Sequence, residues 1–452
     1  MRQHKIPRLN GTQATLLGFL AVILLGSGLL ALPVSAADGH AVPYMDALFT
    51  ATTSVCVTGL VTVPTFSTWS CFGQAVILLL IQIGGLGVIT ILSGVLITLH
   101  RRIGLGARML IQDAFNLNTL SGMVRFVKNV ILGTFAVEGA GALLYMLVFV
   151  PQYGARGVWM AVFNAVSAFC NAGMDVIGPS SLYAYVSHPL VNAVTCLLIV
   201  LGGLGYIVWW DVLRAVRIKK QGLRSLKTLT LHSKIALSAT ALLIVLGAAG
   251  VWIFEHDNPL TLGALPLGQQ LQAALFQSVT TRTAGFATVP QENLRNPTAL
   301  LSLLLMFIGG SPVGTAGGVK TVTVVVLATS ALAAIRNKRD TVLFHRTVPR
   351  QAVAKAVAVT GMSFAICFLS TLLLSAAADA NALDILYEAV SATATVGLTR
   401  GLTPTLSAWG KLIIIVTMYL GRVGPISLAI VFGTRRQSEN LIKEPTEEIS
   451  VG

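Results

Sequence analysis

A short segment is written four times along this chain. The stretches "ALFTATTSVCVTGL" (47–60), "AVFNAVSAFCNAGM" (161–174), "ALFQSVTTRTAGF" (274–286) and "ILYEAVSATATVGL" (385–398) stack on Gly59, Gly173, Gly285 and Gly397, which lie 114, 112 and 112 residues apart. Each glycine follows an aromatic residue, Phe49, Phe163, Phe276 or Tyr387, by ten, ten, nine and ten positions. Between aromatic and glycine runs a segment of Ser, Thr and Ala. One such segment is explained by small residues that let helices pack closely. Four at one period are an internal repeat, and they must share a destination.

The flanks of the repeat say what surrounds it. Of the 452 residues, 54% are hydrophobic and 11% charged, whereas soluble domains carry about 25% charged residues. Long apolar runs fall in pairs around each segment, at 13–34 and 72–99, 129–150 and 189–213, 235–254 and 298–335, 356–378 and 406–433. Each is long enough to cross a bilayer, which takes about 20 residues. The repeated segments are about a dozen residues long, too short to cross. They read as re-entrant, entering and leaving on one side. The predicted fold is an all-α membrane protein with four pseudo-symmetric units, each a span, a re-entrant loop and a span, around one central pore, with eight crossings. The units cover residues 1–105, 106–222, 223–340 and 341–435, and 436–452 form a tail.

Charge placement sets the orientation. The net charge of +14 is gathered in five places: Arg2, Lys5 and Arg8; Arg101 to Lys128; Arg214 to Lys234; Arg336 to Lys355; and the tail after Phe432. Mildly acidic segments with Asp38, Asp46, Asp175, Glu255, Asp257, Asp379 and Asp384 alternate with them. This is the positive-inside pattern, so a bilayer is the partner and nucleic acid is not. Both termini are expected inside. The N-terminus also has the look of a signal peptide ending in "PVSAA", but its apolar stretch exceeds the usual length and the repeat requires it as a span. The five cysteines (Cys56, Cys71, Cys170, Cys196, Cys367) show neither a disulfide nor a metal-ligand spacing.

Non-helical backbone at membrane depth is tolerated where it is buried or lines a watery cavity. Four re-entrant loops of equal depth therefore point to a pore. Inward carbonyls can replace a cation's hydration shell, glycine permits the required dihedrals, and the C-terminal ends of short helices favour positive charge. The second inner feature is "GGSPVGTAGGVKT" (309–321), where Gly309, Gly310, Gly314, Gly317, Gly318 and a proline interrupt a span. Such a segment cannot remain helical. It also mimics a phosphate loop, but no Walker pattern or strand context surrounds it.

These segments, with "LIQIGGLGVIT" (80–90), "LSGMVRFVKN" (120–129), "LIVLGGLGYIVWWDV" (198–212) and "MYLGRVGPISLAI" (418–430), make the whole chain resemble the Ktr/Trk/HKT superfamily of potassium transporters, and in particular its KtrB-type membrane subunit. Two extra N-terminal helices usual in the TrkH branch are lacking. The resemblance implies a selectivity filter of carbonyls from Val57-Thr58-Gly59, Asn171-Ala172-Gly173, Thr283-Ala284-Gly285 and Thr395-Val396-Gly397. In that superfamily glycine at the first filter position goes with potassium and serine with sodium preference, so Gly59 implies potassium. It implies an intramembrane gating loop made of Gly309, Gly310, Gly314, Thr315, Gly317 and Gly318. It further implies a homodimer on a cytoplasmic KtrA-like nucleotide-binding ring, potassium as the transported ion rather than any covalent cofactor, sodium as a candidate stimulator, and residence in the bacterial inner membrane.

Four cations need an account. Lys320 either contacts the gating loop or snorkels to the cytoplasmic surface. Arg422, inside an apolar span, either faces the pore below the filter or pairs with Glu138. Arg282, just before the third filter segment, is expected to turn behind the loop toward Glu388. Arg400 is either solvated or tunes the mouth. The expected function is channel-like potassium uptake, not an enzyme, since the seven histidines sit at chain ends or in loops. The alternative is a sodium or potassium/sodium secondary transporter with a midplane site, for which two inverted repeats are the commoner plan.

Overall fold

The computed structural model describes residues 11–98, 122–219 and 228–424. The N-terminal basic residues, most of the Arg101–Lys128 cluster, residues 220–227 and everything after Gly424, including the tail, lie outside them. In chain order the helices are α1 (Gly11–Leu30), α2 (Tyr44–Cys56), α3 (Thr65–Thr68), α4 (Cys71–Leu86), α5 (Val88–Thr98), α6 (Met123–Tyr153), α7 (Ala155–Cys170), α8 (Pro189–Leu204), α9 (Tyr206–Lys219), α10 (Leu231–Glu255), α11 (Leu267–Thr280), α12 (Asn296–Phe307), α13 (Thr321–Ile335), α14 (Arg350–Ala377), α15 (Ala382–Thr393) and α16 (Ala408–Val423). A two-stranded hairpin, Val342–Leu343 with Arg346–Thr347, separates α13 from α14.

Among the described residues, four helices are long and apolar enough to cross a membrane: α1, α6, α10 and α14. They coincide with the first span expected in each unit. Leu25, Leu143, Leu147, Val245, Leu246, Phe364 and Phe368 stand exposed along them, as side chains do when lipid is the solvent. The polar residues are inside instead. Helices α2, α7, α11 and α15 bury Thr52, Thr53, Ser54, Asn164, Ser167, Gln277, Ser278, Glu388 and Ser391. Hydrocarbon and an apolar interior are nearly equivalent, so packing contacts and internal hydrogen bonds hold such a fold rather than water exclusion. The aromatics of the repeat anchor these short helices: Phe49, Phe163, Phe276 and Tyr387 are all buried.

The second span departs from expectation in the first two units. The sequence predicts continuous crossings at 72–99 and 189–213, but both are broken. Helix α4 stops at Gly87 (φ 85°) and α8 at Gly205 (φ 86°), and α8 and α9 meet at 96°, the two together making a fifth candidate crossing. Glycine takes this left-handed conformation without a Cβ penalty, so the last glycine of "GGLG" ends the helix in both places. Helix α16 ends the same way at Gly424 (φ 85°). Between α12 and α13 the break is the expected glycine-rich segment. Its neck is a parallel bridge between Ile308 and Val319.

Capping follows the sequence closely. Ser70 accepts from the Gly73 amide to open α4, and Ser407 from Gly410 to open α16. Thr230 does the same from Ser233 at the start of α10, each cap satisfying one orphan donor. Helices α4, α8 and α16 each lie against the short helix of their own unit with no room for a side chain. A methyl at Gly84, Gly202 or Gly421 would strike the carbonyl of Val55, Phe169 or Thr393.

Candidate functional site

All four short helices lead into a left-handed residue. Val57 (φ 55°) and Asn171 (φ 60°) directly follow α2 and α7, whereas Thr283 (φ 68°) and Thr395 (φ 51°) come after α11 and α15 have run on through the right-handed Thr281 and Ala394. Few non-glycine residues adopt this conformation. Two positions on come Gly59, Gly173, Gly285 and Gly397, also with positive φ. Backbone bonds hold the reversal: Thr58 N donates to Thr53 O, Ala172 N to Ser167 O and Val396 N to Ser391 O, each at 2.8 Å. Hydroxyls of the same residues accept amides one or two positions further on. Thr53 Oγ1 takes Gly59 N at 2.9 Å, Ser167 Oγ takes Met174 N at 3.1 Å and Ser391 Oγ takes Gly397 N at 3.0 Å. In the third loop Thr280 Oγ1 donates to Phe286 O at 2.6 Å instead. These hydroxyls were not singled out in the sequence. Their signal is a fixed offset of six residues before the glycine at Thr53, Ser167 and Ser391.

The four turns close on one another. A Cβ at Gly59 would lie 2.5 Å from the Ala172 carbonyl, and one at Gly173 2.6 Å from that of Ala284. One at Gly285 would meet Val396 O, and one at Gly397 would meet Thr58 O. The contacts therefore run from the first loop to the second, third and fourth and back to the first. Of the twelve residues expected at the filter, these contacts bring together Thr58, Gly59, Ala172, Gly173, Ala284, Gly285, Val396 and Gly397, while Val57, Asn171, Thr283 and Thr395 are the left-handed residues that lead into them. Backbone carbonyls are among the atoms that meet in this ring, and carbonyl oxygen is a donor type that suits a dehydrated monovalent cation.

A cavity of about 190 Å³ opens on one side, lined by the four glycines together with Asp175, Gln291 and Tyr183. Asp175 lies outside the spanning helices. Its burial in this mouth raises the carboxyl pKa to about 6, against the pull of the Ile177 and Gly178 amides and the Ser181 hydroxyl. On the other side lies the glycine-rich segment, pressed against the ring. Gly317 N donates to Thr283 Oγ1 at 3.2 Å, Thr315 Oγ1 to Phe169 O at 3.0 Å, and Ser311 N to Gly203 O at 2.8 Å. A methyl at Gly317 would collide with Thr395. Beside the segment is a second cavity, of about 320 Å³, against α14 and α16.

The four cations each find a definite place. Lys320 does not snorkel: its Nζ donates to Ala316 O at 2.5 Å and Gly317 O at 3.4 Å. Arg422 does not pair with Glu138. Its Nη1 donates to Thr315 O at 2.7 Å and its Nη2 to Gly84 O at 2.5 Å, while Glu138 accepts from Gln82 at 3.2 Å. Arg282 turns behind its loop as expected, but its partners are Thr240 Oγ1 and Gly309 O, both at 3.4 Å, not Glu388. That carboxylate is taken by the hydroxyls of Thr399, at 2.7 Å, and Thr403, which follow in the same chain segment and reach it first. Arg400 is neither solvated nor aimed into the mouth. It pairs with Asp384 at 2.6 Å and donates to the Gln291 and Leu294 carbonyls at 3.1 Å, strapping the fourth loop to the third. A further strap joins Lys411 to Asp46 at 2.6 Å, and Asp46 accepts from Thr62 at 2.7 Å.

Comparison with known proteins shows similarity along nearly the whole chain. Residues 10–444 match the family model of TrkH, a cation transport protein. The chain is 40% identical to the "Ktr system potassium uptake protein B" of Bacillus subtilis, over 98% of this chain and 97% of that protein. It is 37% identical to the "Potassium/sodium uptake protein NtpJ" of Enterococcus hirae, over 100% and 99% respectively. Among solved structures it is similar to the potassium transporter TrkH of Vibrio parahaemolyticus, with a TM-score of 0.74 at 18% identity, covering 95% of this chain and 86% of that one.

Proposed function

The chain belongs to the TrkH family of cation transport proteins, and from its ring geometry we propose that it is the potassium-translocating membrane subunit of an uptake system. The observation that carries the reading is the closed cycle of four glycine turns, each packed on the carbonyl of the next. Carbonyls of Val57-Thr58-Gly59, Asn171-Ala172-Gly173, Thr283-Ala284-Gly285 and Thr395-Val396-Gly397 form the filter, and potassium exchanges its water shell for them. The surrounding scaffold is four pseudo-symmetric units with eight crossings, and the Asp175 cavity is the external mouth. With both termini inside a bacterial inner membrane, the membrane potential drives a cation inward at about 2.3 kcal/mol per 100 mV.

The segment from Gly309 to Lys320 is the gate. Its polar contacts with Thr283 and Phe169 hold it across the inner face of the ring, and Arg422 and Lys320 fix its carbonyls. Those carbonyls would otherwise be unpaired at membrane depth, so two cations here satisfy the loop as well as repel permeating ions. The working assembly is a homodimer on a cytoplasmic nucleotide-binding ring. Sodium acts as a stimulator of potassium flux.

The test is radiotracer uptake into proteoliposomes of the purified chain, rubidium against sodium, with Gly59→Ser alongside. Rubidium flux that the substitution shifts toward sodium supports the filter. Absence of flux of either ion, with the cytoplasmic partner also bound, would replace the pore by a midplane secondary transporter.

A further inference from the structure

The residue just before each left-handed turn is Cys56, Cys170, Arg282 and Ala394 in the four loops. Three are small and neutral. The fourth places a guanidinium, 7% exposed, behind the ring. Among the described residues no carboxylate forms an ion pair with it, its Nε has no partner, and Nη2 alone donates, at 3.4 Å, to Gly309 O and Thr240 Oγ1. A buried charge left this incompletely bonded is costly, and replacing it by an apolar side chain of similar volume is commonly neutral or stabilising. Stability alone therefore does not account for arginine here.

Its position does. Gly309 is the first residue of the glycine-rich loop, and the far end of that loop returns to the neighbouring residue, Gly317 N donating to Thr283 Oγ1 at 3.2 Å. Gly309 N also donates to Val319 O at 3.0 Å, closing the neck of the loop. Both ends of the loop thus hang from two consecutive residues of the third ring strand, Arg282 and Thr283. A small void lies beside the guanidinium, bounded by Gly203, Thr240 and Gly310.

We propose that Arg282 is a positioning residue that couples the glycine-rich loop to the third ring strand, so that cation discrimination at Thr283-Ala284-Gly285 depends on where the loop sits. The inference rests on the pore reading above and goes beyond it: gate and filter are one mechanical unit on this side of the ring. Two sites joined in this way show a coupling, measured as a change at one that depends on the state of the other.

The experiment measures the rubidium-to-sodium uptake ratio of the full chain in proteoliposomes with the loop held and released. Release is by Arg422→Ala, which removes the donors on Thr315. With Arg282 present, release is expected to change the ratio by about fivefold or more, the low end of coupling between linked sites. In Arg282→Met the same release leaves the ratio unchanged, while Arg282→Lys, which keeps a long charged donor, restores most of the response. Should Arg282→Met fail to assemble, Arg282→Gln carries the same expectation with a polar head shorter than the guanidinium. An equal response to loop release with and without Arg282 would overturn the proposal and leave the residue a space-filler. A wild-type chain that moves neither ion would instead remove the pore reading beneath it.

Discussion

Arg422 donates to the carbonyl of Gly84, 2.5 Å away across 338 residues of chain. In the matching motifs "GGLG" and "GRVG", Arg422 stands where the first unit has Gly85. The guanidinium thus ties the fourth inner helix to the first, and its other donor holds Thr315 O of the glycine-rich loop at 2.7 Å. A single side chain fastens three separate elements beneath the ring.

Arg422→Ala is therefore expected to release the loop and raise basal rubidium uptake. Each hydrogen bond from a charged donor is worth about 1.5–3 kcal/mol, and about 1.4 kcal/mol shifts an equilibrium tenfold. Initial uptake rates at equal protein density should rise about tenfold, and an unchanged rate would separate Arg422 from the gate.

Alanine at Gly59, Gly173, Gly285 or Gly397 should cut rubidium uptake to a similar extent at each, by about tenfold or more. Every one of the four has positive φ and a neighbouring carbonyl or Cα where the methyl must go, and a strained backbone position costs on the order of 1–3 kcal/mol. If one of the four substitutions leaves flux intact, that loop is outside the conduction path.

Ser391→Ala removes the acceptor of the Gly397 amide, bonded at 3.0 Å, and leaves a buried donor unpaired. The penalty is about 1–3 kcal/mol and falls on the ring strand itself. Sodium uptake relative to rubidium should increase several-fold, and Ser391→Thr, which keeps the hydroxyl, should behave as wild type. The ratio rather than the total flux is the informative measurement.

Acid should inhibit from the mouth side. The Asp175 carboxyl titrates near pH 6, above its ordinary 3.8, chiefly because it is buried beside the ring. Its charge is present above that pH and is lost as pH falls through it, so rubidium uptake should decline between about pH 7 and pH 5. The folded protein binds this proton more tightly than the unfolded chain. The contribution of Asp175 to stability therefore rises as pH falls from about 6 toward 3.8, so its protonation is not a cause of unfolding. Asp175→Asn should give lower uptake at pH 8 and no titration near 6. A wild-type titration retained in that variant would assign it to another group.

Much of this architecture was legible because its determinants are local. Membrane spans follow from the length of apolar runs, and α1, α6, α10 and α14 lie where the hydropathy placed them. The buried short helices follow from aromatic, small-residue and glycine positions repeated along one chain. The interruption at Gly309 to Gly318 follows from the glycines and proline themselves. The breaks at Gly87 and Gly205 were equally local, and the cue was the final glycine of "GGLG", hidden inside runs apolar enough to read as continuous helix.

The partners of the buried charges were not legible. From Arg422, Glu138 and the Gly84 carbonyl are both plausible acceptors, and from Arg282 so are Glu388 and the Gly309 carbonyl. Such pairings join groups up to hundreds of residues apart, and nothing in the local sequence ranks them. The chain alone determined that four glycine turns exist, spaced by one period and flanked by membrane helices. Only the tertiary structure decided that each turn packs on the carbonyl of the next. The reason is physical: repetition is a property of the chain, whereas closure needs all four loops at one depth and within van der Waals contact, and that is set by how the helices around them pack.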